Sequence, residues 1–276
     1  MTVLFGRPLP DTRVGDALDL LDPDARILIT GARGSIGSLL TPLLDRFDVT
    51  ATDIEDLDVC DAEQVRDAVD AVDPTIVFHL AADKHAPNGE LSPYRTADIA
   101  INGTVNLLDA ARDATIVLTS TCKACHPETA YGASKLIAER MVLNAGGSVA
   151  RFYNVVETCG NVFRLWESLP ADEPIPVTPC YRYFMSADEA VALTVWAAVM
   201  TAGRYTIEPG RPLPMSAVAS HLYPGRKQEL VPPRRGDRLN EPLRAPHERL
   251  AVLPSAWPAW VRRIESPHDV EDTAGG

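Results

Sequence analysis

Lysine is scarce in this sequence. Of its 26 basic residues, lysine accounts only for Lys84, Lys123, Lys135 and Lys227, and the rest are arginine. Arginine stays protonated in proteins, whereas lysine sheds its proton near neutral pH when its surroundings lower its pKa. Lysines kept in an arginine-using chain are therefore candidates for proton chemistry. Positive charge is also in deficit: the net charge of -12 excludes a broad nucleic-acid or anionic-membrane surface. Long apolar runs are missing, since the longest mostly apolar stretch, 190–202, falls short of the roughly 20 residues that cross a bilayer. With no signal-peptide pattern at the start, a cytoplasmic protein without a membrane partner is expected. Five cysteines, an odd number in 276 residues, do not form a secreted disulfide framework, so reduced thiols are the default.

What is present is an alternation of short apolar runs with helical patterns. Residues 1–25 are rich in proline and aspartate and read as a lead-in with a short helix at 16–21. Strands are expected at 26–30, 49–53, 75–81, 115–121 and 148–155, with helices through 36–44, 104–112 and the segment carrying Tyr131. This order predicts an α/β fold, a Rossmann-type doubly wound parallel sheet over 26–155. Prolines then crowd 170–179, followed by a helix at 186–201, a strand near 205–208 and a basic loop at 234–238. They suggest a small C-terminal substrate-binding cap over 156–264, interleaved with the last sheet elements, and a disordered tail at 265–276.

Between the first strand and helix, Gly31, Gly34 and Gly37 form G-x-x-G-x-x-G, with Arg33, Ser35 and Ile36 between them. Such glycines let the backbone approach a pyrophosphate seated on the helix N-terminus. Asp53, at the end of the second strand, suits the adenosine ribose and disfavours a 2′-phosphate, so NAD is expected over NADP. Arg33 is the competing signal, being able to greet that phosphate. Asp58 and Val59 suit an adenine edge, or Asp58 is a solvated loop acid.

The densest chemistry lies at Ser120 to Lys135, S-T-C-K-A-C-H-P-E-T-A-Y-G-A-S-K. Tyr131 and Lys135 are four apart, hence on one helix face. Cys122 and Cys125 form C-x-x-C, but zinc would need two further ligands, and Cys159 and Cys180 lack paired spacing. No metal is expected.

Taken together, I-T-G-A-R-G-S-I-G at 29–37, F-H-L-A-A-D-K-H at 78–85, S-T-C-K at 120–123, Y-G-A-S-K at 131–135, R-F-Y-N-V at 151–155, R-Y-F-M at 182–185 and R-R-G-D-R-L at 234–239 resemble an extended short-chain dehydrogenase/reductase. More narrowly, they resemble the nucleotide-sugar 4,6-dehydratases of bacterial polysaccharide biosynthesis, together with L-F-G-R-P at 4–8. The resemblance implies a transient oxidation by NAD, elimination of water across carbons 5 and 6, and return of the hydride. It makes Tyr131 the base at the sugar hydroxyl, Lys135 the ribose-binding cation that lowers the Tyr131 pKa, Thr121 a partner of the same hydroxyl, and Lys123 the base at carbon 5. Ala81, Ala82 and Lys84 would border the cofactor; His85, Asn154, Arg182 and Arg234 would face the substrate and its phosphates.

The sequence departs from that pattern where S-T-D-K is usual: Cys122 replaces the aspartate. A thiol is protonated at neutral pH and can serve as the acid. Cysteine there also resembles the 5,6-dehydratase of tunicamycin biosynthesis, which makes an exo-glycal. Two products follow, an exo-glycal or a 4-keto-6-deoxy sugar. Ala100 in place of asparagine and a short cap leave a UDP-sugar and a nucleoside or nucleotide of an antibiotic pathway both open as substrate. A homo-oligomer is expected. A 4- or 5-epimerase, needing Tyr131 and Lys135 but no acid at Cys122, and a non-catalytic NAD-binding sensor are the alternatives.

Overall fold

Apolar segments buried on both faces become parallel strands. Ile27, Leu28 and Ile29, then Val77 and Phe78, Val117 and Leu118, and Val149 and Ala150 are all closed to solvent. The computed structural model describes residues 3–83, 86–156, 158 and 161–269. Its main sheet runs, edge to edge, through Asp48–Thr52, Arg26–Thr30, Ile76–His79, Thr115–Thr121, Ser148–Phe152, Gly203–Ile207, Val261–Glu265 and Arg249–Val252. The first six are parallel, and the last two join antiparallel. Strand order reverses between Arg26–Thr30 and Ile76–His79, and ligands of open α/β sheets bind outside the strand C-termini at such a point.

Two apolar clusters cover the two faces of this sheet. One gathers Ala17, Leu18, Leu40 and the helix Ala187–Val199; the other gathers Val65, Val69, Leu107, Ala138 and Val142. The helix Ala187–Val199 starts at Ser186 in a capping box with Glu189, as S-A-D-E prescribes. A third cluster, around Trp166, Ile175, Val177, Phe184, Met215 and Val218, is the core of the cap.

Several expected boundaries move. The helix after the glycine loop is a single turn, Gly37–Leu40, continued as 3-10 helix at Thr41–Leu44, because Pro42 has no N–H to donate. Leu39 and Leu43, whose spacing with Ile36, Leu40 and Leu44 is what marks this segment as helical, are exposed. The strand expected at 148–155 ends at Phe152, and Asn154–Val155 pairs instead with Phe184–Met185. The N-terminal segment is not a loose lead-in. Val3–Leu4 and Arg7–Pro8 form a hairpin, Arg7 pairs with buried Glu189 at 2.7 Å, and Trp196 Nε1 donates to the Thr12 carbonyl. Nor does the expected tail begin loose: the last strand runs through Glu265, and Asp269 pairs with Arg204 at 3.2 Å. Among the described residues no helix is long and apolar enough to cross a membrane.

Candidate active site

The dinucleotide loop is held at close quarters. Gly31 has φ 74, and a Cβ there would meet the Ala81 nitrogen at 2.7 Å, so this turn admits glycine for two reasons. Asp53 accepts a hydrogen bond from the Arg33 backbone N–H at 2.8 Å, tying the second strand's end to the loop. The Arg33 guanidinium, the competing signal for a 2′-phosphate, is engaged by Glu55 at 2.7 Å and Asp56 at 2.8 Å. Asp58 accepts from the Cys60 N–H, while Val59 is buried and its side chain leaves Gly103 no room for a Cβ.

A cavity of about 290 Å³ opens beside this loop. Gly31, Ser35, Ile36 and Ala82 border it on one side, and Thr121, Tyr131 and Lys135 on the other. A second cavity, of about 390 Å³, lies between the sheet and the cap and is bordered by Asn154, Arg182, Arg234, Asp237 and Glu241. Lys123 and Asn154 line both. A glycine cradle that excludes side chains, with Asp53 tied to its backbone, and a buried lysine fit a nicotinamide dinucleotide in the first cavity.

Thr121 ends the fourth strand and caps the short turn Cys122–Ala124, accepting from the Lys123 N–H at 3.3 Å. Tyr131 begins the helix Ala130–Asn144, capped by Thr129. Burial raises the Tyr131 phenol to about 12, and Lys123 and the Thr121 hydroxyl pull against that rise. Lys123 is thus a cation that acts on Tyr131. Lys135 is buried and driven down to about 8 by desolvation, Glu139 opposing. Its charge is felt at His79, which burial takes down to about 3 and which bonds Thr30 at 2.8 Å.

Glu241 was not anticipated. Its carboxylate is buried, with Oε1 2.7 Å from Lys123 Nζ and 3.4 Å from Arg182 Nε. Its Oε2 accepts from Asn154 Nδ2 at 2.8 Å and from the Cys122 thiol at 3.6 Å. Burial favours the neutral acid, yet Lys123 and Arg182 outweigh it and hold the carboxyl near 2. Desolvation would strip the Lys123 proton, but Glu241 reverses that and raises its pKa. Burial, then Glu241, keeps Cys122 protonated far above the usual thiol range. The signal available in sequence was slight: a lone acid three residues beyond the basic loop.

Arg182 therefore borders the second cavity already paired, and Arg234, exposed, pairs with Asp237 at 3.0 Å. Lys84 and His85, and Cys159, lie outside the described residues. Cys122 and Cys125 are free thiols; Cys125 lies 3.2 Å from Arg151 in a buried network. Among the described residues no three His, Cys, Asp or Glu side chains group as a metal would need.

The family model described as "Polysaccharide biosynthesis protein" matches residues 47–252. The chain is 32% identical to an uncharacterized membrane protein of Methanocaldococcus jannaschii, over 65% of each chain. It is 30% identical to the probable polysaccharide biosynthesis protein EpsC of Bacillus subtilis over 92% of this chain and 48% of that one, so it spans about half of that relative's length. It is 28% identical to a UDP-N-acetylglucosamine 4,6-dehydratase (inverting) of Campylobacter jejuni, over 78% of this chain and 76% of the relative. The fold matches the UDP-glucose 4-epimerase of Thermus thermophilus, solved as a complex with NAD, at TM-score 0.68 and 22% identity over 78% and 89% of the two chains.

Proposed function

Because the chain belongs to the polysaccharide biosynthesis protein family, we propose that it is an NAD-dependent dehydratase that eliminates water across carbons 5 and 6 of a sugar nucleotide. The observation that carries this reading is the meeting of the two cavities at Lys123 and Asn154, with Tyr131 on the cofactor side and Glu241 on the other. The 28% identity to the Campylobacter UDP-N-acetylglucosamine 4,6-dehydratase supports a sugar nucleotide as substrate, with UDP-N-acetylglucosamine the first candidate.

NAD, when bound, accepts a hydride from carbon 4 and gives it back. Tyr131 takes the hydroxyl proton at that carbon, with Thr121 bonded to the same oxygen and Lys123 lowering the phenol's proton affinity. Lys135 holds the nicotinamide ribose. The 4-ketone acidifies carbon 5, whose proton Lys123 removes, and Cys122, kept as the thiol, protonates the departing hydroxyl at carbon 6. Arg182 and Arg234 receive the phosphates, which arginine binds in bidentate fashion. Asp53 favours NAD.

Incubation with NAD and UDP-N-acetylglucosamine tests the reading: a product lighter by one water is expected. Recovery of an epimer of unchanged mass would favour the epimerase, and no product lighter by one water from any sugar nucleotide would sink the dehydratase.

A further inference from the structure

Glu241 presents one oxygen to the candidate base and the other to the candidate acid. No other carboxylate pairs with Lys123 among the described residues, and this one is buried, fixed by Asn154 and within reach of Arg182. The arrangement poses a difficulty for the elimination, because a lysine held as an ammonium cannot take a proton. It also supplies the remedy. We propose, building on the dehydratase reading, that Glu241 is a proton relay that frees Lys123 to act as base and re-arms Cys122 after it has acted as acid.

The protons balance. Lys123 starts as ammonium, Glu241 as carboxylate and Cys122 as thiol. The proton on Nζ passes to Oε1, leaving an amine and a carboxylic acid. The amine removes the carbon 5 proton of the 4-keto sugar. That electron pair forms the double bond between carbons 5 and 6 as the bond from carbon 6 to oxygen breaks. The Cys122 thiol gives its proton to the departing hydroxyl, which leaves as water. Rotation of the carboxyl group carries its proton to the thiolate sulfur. All three groups end as they began, and the sugar has lost one water.

Arg182 links the relay to substrate arrival. Its guanidinium lies 3.4 Å from Oε1, and a diphosphate entering the cavity competes with Glu241 for it. Loss of that cation, with exclusion of water, favours the neutral amine and acid over the ion pair.

Glu241→Gln keeps the shape but can neither accept the Lys123 proton nor return one to the Cys122 thiolate, so even where burial leaves Lys123 as the amine the acid is not re-armed between turnovers. With NAD and UDP-N-acetylglucosamine, this variant is expected to lose about a hundredfold in kcat for water loss, the scale of a general acid–base contribution, with KM within about threefold. It should still oxidise carbon 4, so that a borodeuteride quench places deuterium there in a sugar that keeps its 6-hydroxyl. Dehydration at the wild-type rate would overturn the relay, and so would joint loss of ketone and dehydration, the mark of a merely structural role. Should Glu241→Gln fail to fold, Glu241→Asp replaces it: a shorter carboxylate slows water loss about tenfold without slowing ketone formation, and an unchanged rate overturns the relay. A wild-type protein that forms no dehydrated product overturns the dehydratase reading, and the relay with it; an active wild type whose variants dehydrate just as fast overturns only the relay.

Discussion

Gly132, the third residue of the Tyr131 helix, lies so close to the Lys123 carbonyl that a Cβ on it would approach that oxygen to 2.5 Å. The helix N-terminus and the Cys122–Ala124 turn are thereby locked together, and Tyr131 is placed beside Lys123. Here a sequence letter, glycine, sets packing, and packing brings Lys123 to the phenol.

Gly132→Ala is accordingly expected to force the two segments apart. Displacements of an ångström at a reacting centre cost up to about a hundredfold. A fall of at least about tenfold in kcat/KM, with bound NAD retained, is the expected result of steady-state kinetics and cofactor titration. Unchanged kinetics would contradict the lock.

Asp53 is bonded to the Arg33 N–H, and the Arg33 guanidinium is taken up by Glu55 and Asp56. The wild type should therefore bind NAD at least about tenfold more tightly than NADP, and Asp53→Ser should narrow that ratio by removing a charge opposed to the 2′-phosphate. Equal affinities in the wild type, measured by fluorescence titration, would contradict this placement.

The Glu241 carboxyl is held near 2, below its ordinary 4.5. A carboxylate depressed in the folded state adds stability that is fully present above about pH 4.5 and lost as pH falls toward about 2. The stability gap between wild type and Glu241→Gln should thus be on the order of 3 kcal/mol near neutrality and shrink through that acid window. Denaturant unfolding of both proteins across this range checks it; a gap independent of pH would contradict the assignment.

Arg151 is fully buried between Glu139 at 2.5 Å and Glu248 at 2.7 Å, and Glu139 also meets Arg204 at 2.9 Å. This network fastens the segment around Glu248 to the middle of the helix Ala130–Asn144. Removing one partner of a buried pair typically costs about 3–5 kcal/mol, so Glu248→Ala should lower unfolding free energy by that amount. A loss below about 1 kcal/mol would show that the network is not holding this segment.

The parts legible in the sequence are those whose signals are local. The glycine loop, the strand Thr115–Thr121 and the Tyr131–Lys135 pair each sit within one strand–turn–helix unit, where period and spacing carry the information. Pro42 also carried its message, but the apolar spacing through Leu43 and Leu44 masked it. Glu241 was not legible because its role depends on a contact with Cys122 across 119 residues, made by a cap segment with no regular period. Arg182 falls between: it borders the second cavity, while its pairing with Glu241 follows from tertiary packing alone.

Transient use of NAD is tested most directly with UDP-N-acetylglucosamine deuterated at carbon 4. The proposed dehydration predicts a product lighter by one water that still carries the deuterium, at carbon 4 in an exo-glycal or at carbon 6 in a 4-keto-6-deoxy sugar, with no net consumption of NAD. Deuterium lost from the sugar into released cofactor, with the 6-hydroxyl intact, would contradict it.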